Sequence, residues 1–191
     1  MNKIVRNFIQ LSVFITITSC GGNGTELRLD HHIFVTSTSY RGGQFGGIAG
    51  ADSKCATAAA NAGLIDTYKA IISDTSSDVV TSLNFTGSVY KLTGEEVEVE
   101  IVANGSDLWN AGSVDLLAKV NRDENYALIS PSKPWTGTTS DGSHSDFNCS
   151  NWTSDAGVGD YGSTNSVTDF WLEDPNTSAC NIAHPLFCIK Q

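Results

Sequence analysis

The feature that most constrains this chain is the run Gly46–Gly63, GGIAGADSKCATAAANAG. A glycine-rich loop passes into an alanine-rich segment, in which Ala51, Cys55, Ala58, Ala59 and Ala62 recur at helical spacing on one face. Asp52 is placed to cap the helix and Gly63 to end it in a left-handed conformation. A face of such small side chains demands a partner that approaches closely. The loop does not read as a phosphate cradle, because GxGxxG needs glycine at 45, where Phe45 stands.

The N-terminus reads as an export signal over residues 1–19. Lys3 and Arg6 form a positive start, and an apolar stretch follows from Phe8 to Ile17. At about ten residues that stretch is too short for a permanent membrane span. It ends in Ile17-Thr18-Ser19-Cys20, which fits a bacterial lipobox, with Cys20 as the lipidated residue. Several acyl chains on Cys20 would hold the protein on a membrane firmly. Residues 20–30, with Gly21-Gly22-Asn23-Gly24, read as the lipidated cysteine and a flexible tether, and residues 31–191 as one domain. The expected address is export to the bacterial outer membrane, lipid-anchored and surface-exposed.

Charge excludes some partners. Loss of Lys3 and Arg6 with the signal leaves 9 of the 11 basic residues against 21 acidic ones, a net charge of −12. Such a surface repels nucleic acid and other polyanions. A low charged fraction of 17%, with abundant Gly, Ser, Thr and Asn, favours a turn-rich β or α+β domain over a helical bundle.

Along the chain, strands are expected at Ile33–Thr38, Thr67–Ser73, Ser88–Leu92, Tyr126–Ile129 and Leu186–Ile189, and a short helix, capped by Asp74 or Ser76, through Leu83. Glu96–Val102 alternates, with Glu96, Glu98 and Glu100 on one face and Val97, Val99 and Ile101 on the other. That pattern is a half-buried strand whose acidic stripe discourages edge pairing; a cation site along it is the alternative. Residues 131–170 form a long polar stretch with spaced aromatics. Among these Trp135, Trp152 and Tyr161 are candidate anchors of a binding surface, or else core residues.

Setting Cys20 aside, Cys55, Cys149, Cys180 and Cys188 remain, an even number that implies disulfides in an exported chain. Three connectivities exist, and spacing alone does not choose among them. A Cys180–Cys188 bond is disfavoured if 186–189 is a central strand, since it would not tie the termini together. Nested pairing would close loops of about 130 and about 30 residues, worth roughly 3–5 kcal/mol each. The thiols do not read as a zinc site, having no CxxC pair.

Three segments in order resemble endostatin, the C-terminal domain of certain basement-membrane collagens. They are Arg41-Gly42-Gly43 through Gly47-Ile48-Ala49-Gly50-Ala51-Asp52 to Cys55, with Ala62-Gly63-Leu64 and Tyr68-Lys69-Ala70; Trp135-Thr136-Gly137, Asp141-Gly142 and Cys149-Ser150-Asn151-Trp152; and Ser178-Ala179-Cys180 through Leu186-Phe187-Cys188-Ile189. With the lipobox, the chain is similar to the leptospiral endostatin-like lipoproteins. The resemblance implies an α+β domain, an endostatin-like variant of the C-type lectin-like fold with a twisted, mostly antiparallel sheet, few short helices and long loops. It also implies Cys55–Cys188 nested around Cys149–Cys180, with the closing strand lying against the alanine helix. The function it implies is that of a monomeric, non-catalytic surface adhesin for host macromolecules: extracellular matrix such as laminin or fibronectin, and complement factor H.

Heparin binding does not carry over, because the arginines left after the signal are only Arg28, Arg41 and Arg122. Nor does the family's zinc site: His32 falls where one of its histidines lies, with His31 beside it, but a third ligand has no counterpart. No cofactor is expected. The rival functions are weaker. For catalysis the candidates are His144 with Ser143 and Asp146, and His184, but neighbours in one loop do not make an oriented triad. For a calcium-dependent, carbohydrate-binding lectin, Glu173-Asp174-Pro175-Asn176 is similar to the Glu-Pro-Asn element, interrupted by an aspartate. A structural envelope lipoprotein is the remaining alternative.

Overall fold

The structure, a computed structural model, describes residues 30–83, 86–94, 98–110 and 112–191. The signal, Cys20, most of the tether and Glu96 lie outside the described residues. Nine short strands are described: β1 (His31–Val35), β2 (Tyr40–Arg41), β3 (Tyr68–Ala70), β4 (Val89–Lys91), β5 (Val99–Val102), β6 (Val158–Asp160), β7 (Thr177–Ala179), β8 (Ala183–His184) and β9 (Phe187–Lys190). Helix α1 spans Ile48–Asn61, and α2, a single turn, Val79–Ser82. The domain is mixed α+β, with few short helices and long loops.

A five-stranded sheet in the order β3-β9-β1-β4-β5 forms its centre. Three of its pairings are antiparallel, and β1 with β4 is parallel. The first and last strands of the domain are thus neighbours, with Phe34 opposite Cys188. Both faces of β1 are covered, which is why Ile33, Phe34 and Val35 are all fully buried and read as a continuous apolar run. Pleat alternation divides the core. Ile33, Val35, Phe187 and Ile189 face a layer built from α2, Leu108, Leu116, Val120, Trp171 and Leu172. Phe34, Ala70 and Cys188 face α1 together with Trp135, Trp152 and Tyr161.

Ala51, Cys55, Ala58 and Ala59 of α1 are its buried residues, and these small side chains let the helix lie close on β3 and β9. The Cys55–Cys188 disulfide joins α1 to β9, with Cα atoms 5.5 Å apart. The sequence expectation for the helix start is corrected. α1 begins at Ile48, behind Gly47, and Asp52 lies inside it. The Asp52 carboxylate instead accepts the Ala70 N–H at 2.9 Å, pinning the helix to β3. Half-burial pushes the pKa of this carboxyl up, an effect opposed by the Ala70 hydrogen bond. Gly63, at φ +78°, follows the helix as its left-handed stop.

The second disulfide, Cys149–Cys180, ties the long polar stretch to the segment after β7. Cys149, Ser150, Asn151 and Trp152 all have φ between 52° and 61°, a full left-handed turn made without glycine. Such a turn costs about 1–2 kcal/mol per residue. The surroundings hold it. Asn148 caps it by accepting the Asn151 N–H, the disulfide fixes its first residue, and the indole N–H of the fully buried Trp152 donates to the Ser73 carbonyl at 2.7 Å.

Other expectations shift. Tyr126–Ile129 is not a strand: Leu128 makes one isolated bridge to Arg122, and Asp123 closes a tight turn by accepting the Asn125 and Ala127 N–H groups. α2 starts after Asp78, because the Asp74 carboxylate is occupied by the Ser76 backbone and hydroxyl in the preceding turn.

Candidate functional site

The candidate aromatic anchors are corrected first. Trp135, Trp152 and Tyr161 are at most 2% exposed and cannot meet a partner. They pack with one another because the disulfide and the left-handed turn fold the polar stretch inward: Trp135 and Trp152 meet edge-on at 5.8 Å. The aromatics that do stand out of this stretch are Phe147, 50% exposed, and Phe170, 46% exposed. Spacing did not separate the two groups. Nor did nearness to a cysteine, since exposed Phe147 lies closer to Cys149 than buried Trp152 does.

The histidines do not converge. His31 is buried, its ring nitrogens facing the carbonyl oxygens of Lys190 and Thr86 at 2.9 and 3.2 Å. Its neighbour His32 points to the other side of β1 and pairs with Glu98 on the acidic stripe at 3.0 Å. Among the described residues no group of three or more His, Cys, Asp or Glu is placed to hold a metal. In the Glu173–Asn176 turn, Glu173 accepts the Ser140 N–H, and Asp174 accepts both the backbone and the side-chain amide of Asn176.

His144 meets Asp78, from the start of α2, at 2.7 Å, and Asp78 also accepts the His144 backbone N–H. These bonds pull the Asp78 carboxyl below its usual range. The pairing ties the loop to α2.

His184 makes the most enzyme-like contact. Its Nε2 lies 2.7 Å from the hydroxyl of Ser178, a partner that the sequence reading did not single out. The two residues sit on β8 and β7, either side of the Cys180 turn. The Trp135 ring meets the imidazole edge-on at 4.5 Å, and Tyr161 stacks on it at 5.7 Å. Burial, with the Lys133 ammonium nearby, lowers the imidazole pKa. Lys133 itself donates to the Tyr161 hydroxyl at 2.8 Å. A neutral imidazole can accept the Ser178 proton, but a working triad also needs a group that orients the base. Among the described residues the His184 imidazole makes no second hydrogen bond.

One shallow groove lies on the opposite side of the sheet from α1. It has a volume of about 130 Å³ and is lined by Lys119, Asn121, Leu128, Ile129, Pro131, Thr164 and Asn165. That is well below the ~300–1,000 Å³ of a pocket for a drug-sized ligand.

Neither a protein-family model nor a curated protein matches this chain.

Proposed function

We propose that this is a non-catalytic binding domain carried on a lipid tether at the bacterial outer surface, engaging host macromolecules such as laminin, fibronectin or complement factor H. The observation that carries the reading is the way residues 131–180 are held. The Cys149–Cys180 disulfide, a capped left-handed turn and three buried aromatics fix a polar, loop-built surface, from which Phe147 and Phe170 project. A rigid loop surface with projecting aromatics and only a shallow groove suits a broad protein contact better than an enclosed small substrate.

The endostatin-like form of the C-type lectin-like fold is part of the same proposal. Its support is that the segments carrying the resemblance share one core: Cys55 and Cys188, Cys149 and Cys180, Trp135, Trp152 and Leu186. The lipid anchor rests on Ile17-Thr18-Ser19-Cys20 in the sequence.

The test begins on intact cells. Added protease should degrade the protein, and Cys20→Ala should abolish acyl labelling. The purified protein should then bind at least one of the three host proteins without needing calcium, and Phe147→Ala with Phe170→Ala should weaken that binding. Protection from protease on intact cells sinks the adhesin reading in favour of an envelope role. Chelator-sensitive glycan binding replaces it with a lectin.

A further inference from the structure

Nine basic residues follow the signal, eight of them among the described residues, and four of these lie against an acidic group or an aromatic ring. Arg41 pairs with Asp155 and Lys190 with Asp66, while Lys54 and Lys133 lie over the rings of Tyr40 and Tyr161. Three cations differ. Lys119 donates to the Asn165 side-chain carbonyl at 2.8 Å, and Lys91 to that of Asn121 at 3.3 Å. Arg122, beside Asn121, donates to the Tyr126 carbonyl, and its buried Nε has no hydrogen-bond partner. Among the described residues none of the three is paired with a carboxylate. The adjacent acids are occupied elsewhere: Asp123 in its own turn and Glu124 by Ser37.

This gathering of like charge is unfavourable by itself. Partial burial and the Arg122 charge both lower the pKa of the Lys91 ammonium. Two of the groove's polar residues, Asn121 and Asn165, spend their carbonyl oxygens on the lysines, so what remains of each amide is its NH2 group. The hydroxyl of Thr164 is engaged with Ser132. The groove lining therefore combines the Lys119 ammonium and two amides as donors with the apolar side chains of Leu128, Ile129 and Pro131. An acceptor-only group attached to a few carbons matches both kinds of lining.

We propose that this groove binds a carboxylate carried on a short aliphatic stem, the carboxylate lying at the Lys119 ammonium with the amides of Asn121, which Lys91 holds, and Asn165, and the stem against Leu128, Ile129 and Pro131. A free short-chain dicarboxylic acid and a glutamate side chain of a protein partner share that chemistry. The inference rests on the groove alone and stands whether or not the host-protein reading holds.

The test uses the purified full-length chain, titrated with glutarate and separately with a glutamate-rich peptide, following the side-chain amide resonances of Asn121 and Asn165. Saturable shifts with either probe are expected; glutarate alone identifies a free acid as the source, and the peptide a partner side chain. Lys91→Gln combined with Lys119→Gln should weaken binding about tenfold or more, while Lys69→Gln, outside the groove, should leave it unchanged. Lys119→Gln alone alters an exposed side chain and tests the same point if the double variant is unstable. The inference is overturned if neither probe saturates, if sodium sulfate shifts the resonances as effectively as glutarate, or if the folded lysine variants bind as the parent does.

Discussion

The two layers that cover the central sheet are built on different principles. On one side a helix of small residues lies close against β3 and β9, covalently joined through Cys55–Cys188 and flanked by the interlocked Trp135, Trp152 and Tyr161. On the other side α2 and irregular segments supply large side chains, Leu108, Trp109, Trp171 and Leu172, with no disulfide. Small residues give close approach but little apolar area, so the first layer depends on cross-links and a rigid aromatic cluster. The second relies on area alone. The groove, lined by Lys119, borders this second layer through Ile129, where the covering chain is irregular.

The contrast can be broken experimentally, beginning with its strongest element. Replacing Cys55 and Cys188 by alanine should lower unfolding free energy by about 5 kcal/mol, given a separation of 133 residues. Denaturant titration of the variant and parent measures it. A loss near zero would mean that close packing alone holds α1. On the other layer, Trp171→Ala should cost about 3–5 kcal/mol, from lost burial and the cavity left beside Phe187. That loss should persist in reducing agent, because no disulfide contributes to that layer among the described residues.

A smaller effect is expected from Ala59→Leu, which forces a larger side chain between α1 and the sheet and should destabilise by about 1–3 kcal/mol. A comparable enlargement on the solvent side, Ala60→Leu, should be nearly neutral. The subtlest probe is His184. Burial lowers its folded pKa, so the unfolded chain takes up the proton first as pH falls. Its contribution to stability is therefore intact above the unfolded value of about 6.5 and is lost as pH drops from there through the folded value. His184→Gln should flatten this part of the pH–stability curve, as thermal melts between neutral and mildly acidic pH would reveal.

Much of the helix-covered layer was legible. The alanine spacing places Ala51, Cys55, Ala58 and Ala59 on one face, and Gly63 stops the helix, because both are local consequences of 3.6-residue periodicity and backbone sterics. The strands around Tyr68, Val89 and Phe187 appear where apolar runs suggest them. Asp52 was misread for a reason that is not local: its carboxylate is claimed by Ala70, which β3 brings against the helix. The groove was invisible in the sequence, since Asn121 and Asn165 are far apart in the chain and line one furrow only in the folded domain.

By itself, then, the sequence determined periodic elements, the even set of cysteines after Cys20 and the acidic balance, because each depends on neighbouring residues or on counting. Only the tertiary structure decided the rest. The same aromatic spacing contains both buried Trp152 and projecting Phe147, and a left-handed turn held by a remote disulfide and the Ser73 carbonyl separates their fates. Which side chains face solvent, and which cations go without an acid, are properties of long-range contacts that no local pattern encodes.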